Sequence, residues 1–353
     1  MLILHTSDIH LVEFEDDRWK TLVKLLEIGK RENIDFLVIC GDLFDNETAA
    51  ENLRLKIRKL FSNNDFNILI LPGNHDKDSY KRGKYFGDDV FIFEDLIKSF
   101  ENEDLRIWGM PFELINGDII FERLQNLKEK LKPDKINILL FHGELLDTFF
   151  SRNDFGEEGE DRYMPAKLSY FKDLNFKYIL GGHFHSRFDI WQIDEDHYFV
   201  YPGSPISITK KEIGKRRVNL FEVGETPTDY HLDTPYYENV NIEFNPSKDF
   251  DPLKVTEDSL KIVPSYAKIN LTLYGYINNE SIGMSETELK QKINDIVPEN
   301  CVEVNYEFKD VCEIIEDELY TKFLKKVEER VTDPEKLKKM QDLTIKSMMR
   351  MRL

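Results

Sequence analysis

The sequence predicts an α/β protein, built as a layered sandwich of strands and helices, with a second, smaller α/β domain and C-terminal helices after it. Short apolar runs such as LILHT and FLVIC contain no alternation with polar residues, which is typical of strands buried on both faces. Longer amphipathic segments separate these runs, as helices that cover a sheet would. The pattern resumes on a smaller scale after a polar stretch with two prolines, so we expect two folded domains.

Composition and charge limit the kind of protein that this chain can be. The chain has 353 residues, 41% of them hydrophobic and 33% charged, which is too long for one ordinary domain and too apolar for disorder. Its net charge of −19 argues against a surface coated with basic residues, so any DNA contact must come from local clusters. Three cysteines without a CxxC spacing favour a reducing compartment over a disulfide framework.

The amino terminus predicts a strand from its first residues and lacks a basic segment followed by a long apolar one. No window approaches the roughly 20 apolar residues of a membrane span. We therefore expect a cytoplasmic protein without membrane association.

The first domain, expected at residues 1–234, contains eight apolar runs that predict strands. Amphipathic patterns predict helices around Trp19–Lys30 and Asn52–Phe61, between the first three runs. Strands that alternate with helices in this way favour a parallel sheet. The runs are LILHT, DFLVIC, FNILILP, LRIWGMP, INILLFH, FKYILGG, HYFVYPGS and RVNLFEVG.

A linker at Thr226–Pro235 leads to a small α/β domain, expected at residues 235–310. Its predicted strands are ENVNIEF, YAKINLTLYGYI and CVEVNYEF, and SETELKQKINDIV predicts a helix with a capping box formed by Ser285 and Glu288. The C-terminal residues 311–353 predict helices, because apolar residues recur every four positions and TDPE restarts a helix with proline in its first turn. The apolar positions are Ile315, Leu319, Phe323, Val327 and Val331.

Residue types that bind metals follow five of the predicted strands. Because the carboxyl ends of such strands gather at one edge of an open α/β sheet, the five loops are expected to converge on one site. The loops contain five of the eight histidines of the chain, two of them spaced by one residue in GGHFH so that they can address one point in space. The residues are Asp8, His10, Asp42, Asp45, Asn74, His75, Asp76, His142, His183 and His185.

This mixture of carboxylate, imidazole and amide oxygen, without thiolate, suits a pair of Mn²⁺, Fe²⁺ or Zn²⁺ ions bridged by a carboxylate. Two such ions polarise a phosphoryl oxygen and activate a water, so the chemistry indicated is phosphoester hydrolysis. Taken singly, each side chain is more typical of a cap or a turn, and only their combination favours a metal site. His5, His197 and His231 lie outside the pattern and are interpreted as structural or surface residues.

Five segments resemble the five motifs of the calcineurin-like metallophosphoesterases, in the same order: DIH, GDLFD, GNHD, FHGE and GGHFH. The resemblance implies a four-layer α/β/β/α sandwich that holds two Mn²⁺ or other divalent ions such as Fe²⁺, Mg²⁺ or Zn²⁺. It further implies that His75 faces the phosphate and stabilises or protonates the leaving oxygen, oriented by Asp76. The implied ligands are Asp8, His10, Asp42 and His185 for the first ion, and Asp42, Asn74, His142 and His183 for the second.

Within that superfamily the closer resemblance is to the SbcD and meiotic-recombination-eleven nucleases, carried by HTSDIHL, LGGHFHS and YPGSPISI. It implies a metal-dependent DNA nuclease of double-strand break repair, an exonuclease on duplex ends and an endonuclease on single strands or hairpins. If the source is prokaryotic, it also implies a location at the nucleoid. It also implies a complex with an SbcC-type SMC-like coiled-coil ATPase, bound through the C-terminal helices. A homodimer is implied through helices, for which Asn52–Phe61 and the segment near Val90–Ser99 are candidates. Many members carry histidine where this chain has Asp45, a position linked in the family to exonuclease action.

Two basic clusters predict DNA contacts: DKDSYKRGK after His75, and KKEIGKRR beside the PGS loop. Such side chains bind phosphates without sequence preference, and a solvated hairpin is the alternative for either cluster. We expect the acidic loop Ser151–Arg162 to be mobile and able to gate the cleft. The residues of the two clusters are Lys77, Lys81, Arg82, Lys210, Lys211, Lys215, Arg216 and Arg217.

Three alternatives stay open. GDLFDNE lacks the arginine-glycine pair of Ser/Thr phosphatases, but a small-molecule phosphodiesterase or nucleotide-sugar pyrophosphatase of the same superfamily would share the metal residues. A scaffold that tethers DNA ends, with a vestigial metal site, is a non-enzymatic alternative. The C-terminal helices, with ten lysines and arginines against five acids from Thr321 onward, either dock a partner or pack on their own domain.

Overall fold

The computed structural model describes residues 1–81, 84–148, 163–245, 251–311 and 318–351. Two compact units follow each other along the chain, residues 1–236 and residues 237–353. The first unit ends close to the predicted boundary at residue 234, and the predicted C-terminal segment belongs to the second unit. Three predictions fall outside the described residues: those for Arg82, for the loop Ser151–Arg162 and for Ile315.

The first unit contains two six-stranded sheets. The strands of the first sheet, in spatial order, are β12 (Asp229–His231), β11 (Arg217–Glu222), β1 (Leu2–Thr6), β2 (Phe36–Cys40), β3 (Asn67–Leu71) and β4 (Val90–Ile92). Those of the second are β5 (Phe100–Glu101), β6 (Leu105–Met110), β7 (Ile136–His142), β8 (Tyr178–Gly182), β10 (Tyr198–Tyr201) and β9 (Asp189–Gln192). β1 to β4 run parallel, as do β6, β7, β8 and β10, and antiparallel strands extend both sheets.

Four layers make up this unit, as the resemblance implied. The helices are α1 (Asp17–Glu32), α2 (Glu47–Phe61), α3 (Gly117–Lys128) and α4 (Leu168–Phe171). One apolar cluster joins Leu22 of α1 and Leu53 of α2 to the first sheet, and another joins Leu124 of α3 to the second. A third cluster lies between the two sheets and contains Val38 and Leu140. The order is therefore helices, sheet, sheet, helices, and the predicted α/β/β/α class is confirmed.

Burial on both faces explains the apolar runs that predicted the strands. All five residues of β2 are buried. Leu37 and Ile39 belong to the cluster under α1 and α2, whereas Phe36, Val38 and Cys40 belong to the cluster between the sheets. Successive side chains point to opposite faces of a strand, so a strand covered on both sides needs an apolar residue at every position.

The segment near Val90–Ser99, a candidate helix of a dimer interface, begins with a strand instead. Val90, Phe91 and Ile92 pair in parallel with Ile68, Leu69 and Ile70 of β3. β-branched and aromatic residues favour a pleated, half-buried surface, and this preference prevails over the amphipathic spacing. The expectation of a helix there is wrong. α2, the other candidate, is a helix that begins after its Asn46 cap.

His5 ties the two sheets together, as its interpretation as a structural residue requires. The ring is fully buried, Asn219 Nδ2 donates to its Nδ1 at 3.3 Å, and its Nε2 donates to the Gly181 carbonyl at 3.1 Å. An asparagine amide nitrogen can only donate, so the ring is neutral with its proton on Nε2. Burial lowers the pKa of His5 to about 3.

This buried histidine predicts acid sensitivity of the metal-free protein. Because the folded-state pKa lies below the unfolded value of 6.5, the unfolded chain binds more protons as the pH falls, and stability is lost. Relative to His5→Gln, the unsubstituted protein is expected to lose about 2 kcal/mol of unfolding free energy between pH 7 and pH 5. Urea denaturation at both pH values measures the loss. His231→Gln, at an exposed histidine, is the control, and a pH-independent effect of His5→Gln would contradict the expectation.

The second unit is a three-stranded sheet packed against helices. Its strands lie in the order β13 (Tyr236–Phe244), β14 (Ala267–Ile277) and β15 (Cys301–Asp310), with β14 and β15 parallel. Its helices are α5 (Pro252–Lys261), α6 (Asn279–Ile282) and α7 (Glu286–Ile296). Leu289 and Ile293 of α7 join Leu271 and Phe308 of the sheet in one apolar cluster. The capping box of Ser285 and Glu288 is present at the start of α7.

The described C-terminal helices are α8 (Glu318–Glu328) and α9 (Pro334–Met351), the second of which begins where TDPE predicted it. Part of their apolar surface packs within the second unit, where Tyr320 and Ile345 form a small cluster with Val311 and Tyr276. Leu319 and Leu343, by contrast, are 67% and 56% exposed. The helices thus both pack on their own unit and present apolar side chains to solvent. None of the helices in the described ranges is long and apolar enough to cross a membrane.

Candidate metal centre

The strand-following side chains of the first unit meet at the carboxyl ends of the parallel strands. The loops after β1, β2 and β3 come from the first sheet, and β7 and β8 contribute from the second. Three groups result, in each of which the possible ligand atoms lie within 4.8 Å of one another. One of them comprises His10, Asp45 and His75, and the other two form the first and second clusters of the candidate metal centre. The first comprises Asp8, His10 and His185, and the second comprises Asp42, His142 and His183.

Asp42 lies between the two clusters. Its Oδ2 atom is 3.2 Å from Nε2 of His142 and 3.9 Å from Nε2 of His10. Asn74 belongs to the second cluster, since its Oδ1 atom is 2.9 Å from Nε2 of His142. One oxygen of Asp42 thus approaches a ring nitrogen in each of the two clusters, which suits the predicted bridging position.

The ring nitrogens of the first cluster fit a cation. Nε2 of His10 and Nε2 of His185 are buried and have no hydrogen-bond partner among the described residues. Buried polar atoms are nearly always hydrogen-bonded, so two such acceptors beside the Asp8 and Asp42 carboxylates call for a positive ligand. A set of imidazoles, carboxylates and an amide oxygen matches divalent ions such as Mn²⁺, Fe²⁺ and Zn²⁺.

The backbone at this site is unusual. Asp8, His10, Asp42 and His183 have φ values of 55°, 52°, 51° and 85°, the left-handed region that residues other than glycine rarely occupy. Such conformations cost on the order of 1–3 kcal/mol each and concentrate at functional sites. Gly182 shows how closely the sheets approach, because a Cβ atom there would overlap the carbonyl of Cys40.

The carboxylates and imidazoles also shift one another's pKa values. Burial opposes ionisation of Asp8, but His185 outweighs it and the pKa of Asp8 falls to about 2. Burial opposes protonation of His142, but Asp42 outweighs it and the pKa of His142 rises to about 9. Asp8 likewise raises the pKa of His185. Without ions, protons therefore occupy this site at neutral pH, and metal binding must displace them.

The first half of the chain matches a known protein family. Residues 1–187, more than half of the chain, match the family described as calcineurin-like phosphoesterase. The chain belongs to the calcineurin-like phosphoesterases. Members of this family use divalent metal ions, which agrees with the two clusters of metal-binding residue types.

Curated relatives within the family are named DNA double-strand break repair protein Mre11. Those from Saccharolobus solfataricus and Sulfurisphaera tokodaii are 26% and 28% identical, over 70% and 68% of this chain. The matches span 65% and 62% of these two relatives, less than two thirds of their length. The relative from Methanococcus maripaludis is 24% identical over 90% of this chain and 97% of its own.

His75 lies beside the two clusters. Its main-chain N–H donates to Asp42 Oδ1 at 2.9 Å, and its Nδ1 donates to the main-chain carbonyl of Asp45 at 2.9 Å. The carboxylate of Asp76 instead accepts from Gly73 N, Phe44 N and Tyr80 Oη, and burial followed by the charge of Asp42 raises its pKa to about 6. The Asp45 carbonyl therefore contributes to the orientation of His75, and Asp76 holds the loop that carries it.

Asp45, at the position where many members of the nuclease family carry histidine, contacts two side chains. Its Oδ1 atom is 3.6 Å from Nδ1 of His10 and 3.2 Å from Nη1 of Arg18. The carboxylate therefore pairs with the ring nitrogen of His10 that faces away from Asp42.

The basic clusters divide into exposed and internal residues. Arg216 is only 2% exposed and donates to the carbonyls of Ser204 and Ser186 at 2.9 and 3.0 Å, so the expectation that it contacts DNA is wrong. Arg217 is bonded to Asp229 at 2.7 Å on a partly exposed edge. The exposed residues are Lys77, Lys81, Lys210, Lys211 and Lys215.

Glu212, the one acid in the KKEIGKRR segment, is a residue of the site that the sequence did not predict. Its side chain is fully buried, and its Oε1 atom lies 3.3 Å from Nδ1 of His185. A single acid among lysines and arginines beside the PGS loop was the only signal available.

Proposed function

We propose that this protein is a two-metal DNA nuclease of double-strand break repair. The observation that carries the proposal is the pair of clusters, Asp8 with His10 and His185, and Asp42 with His142 and His183, adjoining through Asp42. The Mre11 name of the relatives supports DNA as the substrate. Mn²⁺ is the ion we favour, with Fe²⁺, Mg²⁺ and Zn²⁺ as alternatives.

The protein's residues have distinct roles in this mechanism. Asp8, His10, Asp42 and His185 would hold one ion, and Asp42, Asn74, His142 and His183 the other. Bound there, the ions supply polarisation of the phosphodiester and activation of the attacking water. Because Nδ1 of His75 is engaged by the Asp45 carbonyl, Nε2 is the nitrogen that gives a proton to the leaving oxygen.

DNA would bind through local positive charge. The exposed lysines Lys77 and Lys81 follow the His75 loop, and Lys210, Lys211 and Lys215 lie in the connection between β10 and β11. Contacts from these side chains to phosphates give affinity without sequence preference, which suits cleavage at duplex ends, single strands and hairpins.

We further propose a homodimer that works with an SbcC-type SMC-like coiled-coil ATPase. The exposed Leu319 and Leu343 on helices α8 and α9 support a partner contact there. The excess of lysine and arginine over acids in that segment suits an acidic partner surface.

A comparison of substrates tests the proposal. With Mn²⁺, we expect the protein to cleave labelled duplex and hairpin DNA, and to leave a cyclic nucleotide and a nucleotide sugar intact. Chelation of the ion should abolish cleavage. Hydrolysis of either small molecule without cleavage of DNA would favour a small-molecule phosphodiesterase, and two bound ions without hydrolysis of any substrate would favour a DNA-end scaffold.

A further inference from the structure

We propose that Glu212 is a positioning residue that holds the imidazole of His185 for its metal ion, with Arg216 holding the main chain beneath that ring. The inference rests on the proposed metal centre and adds to it a part that lies outside the predicted ligands. It also gives two members of the KKEIGKRR segment a role other than DNA binding.

The Glu212 carboxylate is surrounded by donors. Oε1 accepts from Nδ1 of His185 at 3.3 Å and from the main-chain N–H of Thr209 at 3.2 Å. Oε2 accepts from Ser204 Oγ at 3.0 Å and from the main-chain N–H of Ile208 at 2.8 Å. Both carboxylate oxygens thus accept from main-chain N–H groups, and an ionised carboxylate suits such a set of donors.

This carboxylate determines which nitrogen of His185 is available. An ionised carboxylate can only accept, so Nδ1 of His185 carries the proton and donates. Nε2 then points into the first cluster, where it is 3.6 Å from Asp8 Oδ1 and has no hydrogen-bond partner among the described residues. Metal-binding histidines are commonly oriented by a carboxylate on the opposite nitrogen, which also makes them more basic.

Arg216 completes the arrangement through the main chain. Its guanidinium donates to the carbonyls of His185, Ser186 and Ser204, and its Nη2 also donates to Ser204 Oγ at 3.0 Å. Ser204 therefore contacts both Glu212 and Arg216. The connection between β10 and β11 holds both the ring and the backbone of His185.

The two proposed ion sites differ in this respect. In the second cluster, Nδ1 of His142 donates to the neutral main-chain carbonyl of Cys40 at 2.8 Å. Glu212 therefore acts on one ion site and leaves the other to a backbone carbonyl. Loss of the Glu212 carboxylate should therefore lower the affinity of the ion site formed by Asp8, His10 and His185. The affinity of the site that contains His142 and His183 should fall less.

Mn²⁺ titration of Glu212→Gln tests this asymmetry. Glutamine keeps the shape but places an amide NH₂ where two donors now point. We expect one of two ions to bind about 10- to 100-fold more weakly, with the other unchanged. Isothermal titration calorimetry gives the affinities, and electron paramagnetic resonance should change from an exchange-coupled Mn²⁺ pair to a single Mn²⁺. Glu222→Gln, the same exchange at an exposed glutamate of β11, should behave as the unsubstituted protein.

Two unchanged affinities in Glu212→Gln would overturn the inference, and so would equal weakening of both ions. If the unsubstituted protein does not bind two ions, the proposed metal centre itself fails, which is a different result. Should Glu212→Gln not fold, nitrogen-15 NMR of the Zn²⁺-loaded unsubstituted protein decides, with the His185 resonance assigned by its loss in His185→Gln. A proton on Nδ1 supports the inference, and coordination through Nδ1 overturns it.

Discussion

Asp42→Asn is expected to abolish hydrolysis and to prevent the binding of both ions. The buried Asp42 carboxylate is the group that approaches His10 of one cluster and His142 of the other. Asparagine retains the acceptor for the His75 N–H but removes the charge that offsets two cations. We expect the cleavage rate to fall at least about 1000-fold, equivalent to about 4 kcal/mol in the activation barrier.

Metal content by mass spectrometry and the rate of cleavage of duplex DNA with Mn²⁺ measure this effect. Asp118→Asn, at an exposed aspartate in the first turn of α3, is the matched control and should change neither quantity. Retention of two ions at native affinity by Asp42→Asn would refute the bridging role.

His75→Ala, unlike Asp42→Asn, is expected to retain both ions. Both should bind with unchanged affinity, since His75 holds Asp42 through its main-chain N–H, which alanine retains. Cleavage should slow about 10²- to 10⁴-fold, the usual contribution of a positioned acid or base. An ester with a good leaving group, such as a p-nitrophenyl phosphodiester, should be much less affected because its leaving oxygen needs less help from a proton.

The comparison of the two esters separates proton transfer from other defects. His197→Ala, at a histidine paired with Asp194 away from the site, is the control. Loss of an ion in His75→Ala would make His75 a ligand, and equal slowing of both substrates would exclude its role as the acid.

Most of the features that could be predicted depend on residues that are close together in the sequence. A strand that is buried on both faces appears in the sequence as an apolar run, so the strands of the sandwich could be predicted. Asp8, Asp42 and His183 follow such runs within a few residues, so their convergence at one edge of the sheets could be predicted as well. The Ser285 capping box was predictable for the same reason.

Contacts that depend on the folded chain were not predictable. Glu212 and Arg216 resemble surface residues in a basic run, and only the folding of the connection between β10 and β11 buries them. The orientation of His75 depends in part on a main-chain carbonyl, which every residue possesses and no sequence marks. The segment near Val90 was assigned to the wrong element because its pairing with β3 is a tertiary contact.

Four residues of the candidate metal centre have left-handed backbone conformations: Asp8, His10, Asp42 and His183. The free energy that these conformations cost must be offset by apolar packing elsewhere in the sandwich, whether or not a cation is bound. Glycine at those positions would relax the chain. A laboratory selection for thermal stability alone is therefore expected to substitute these four residues first, and the more stable variants should lose catalytic activity.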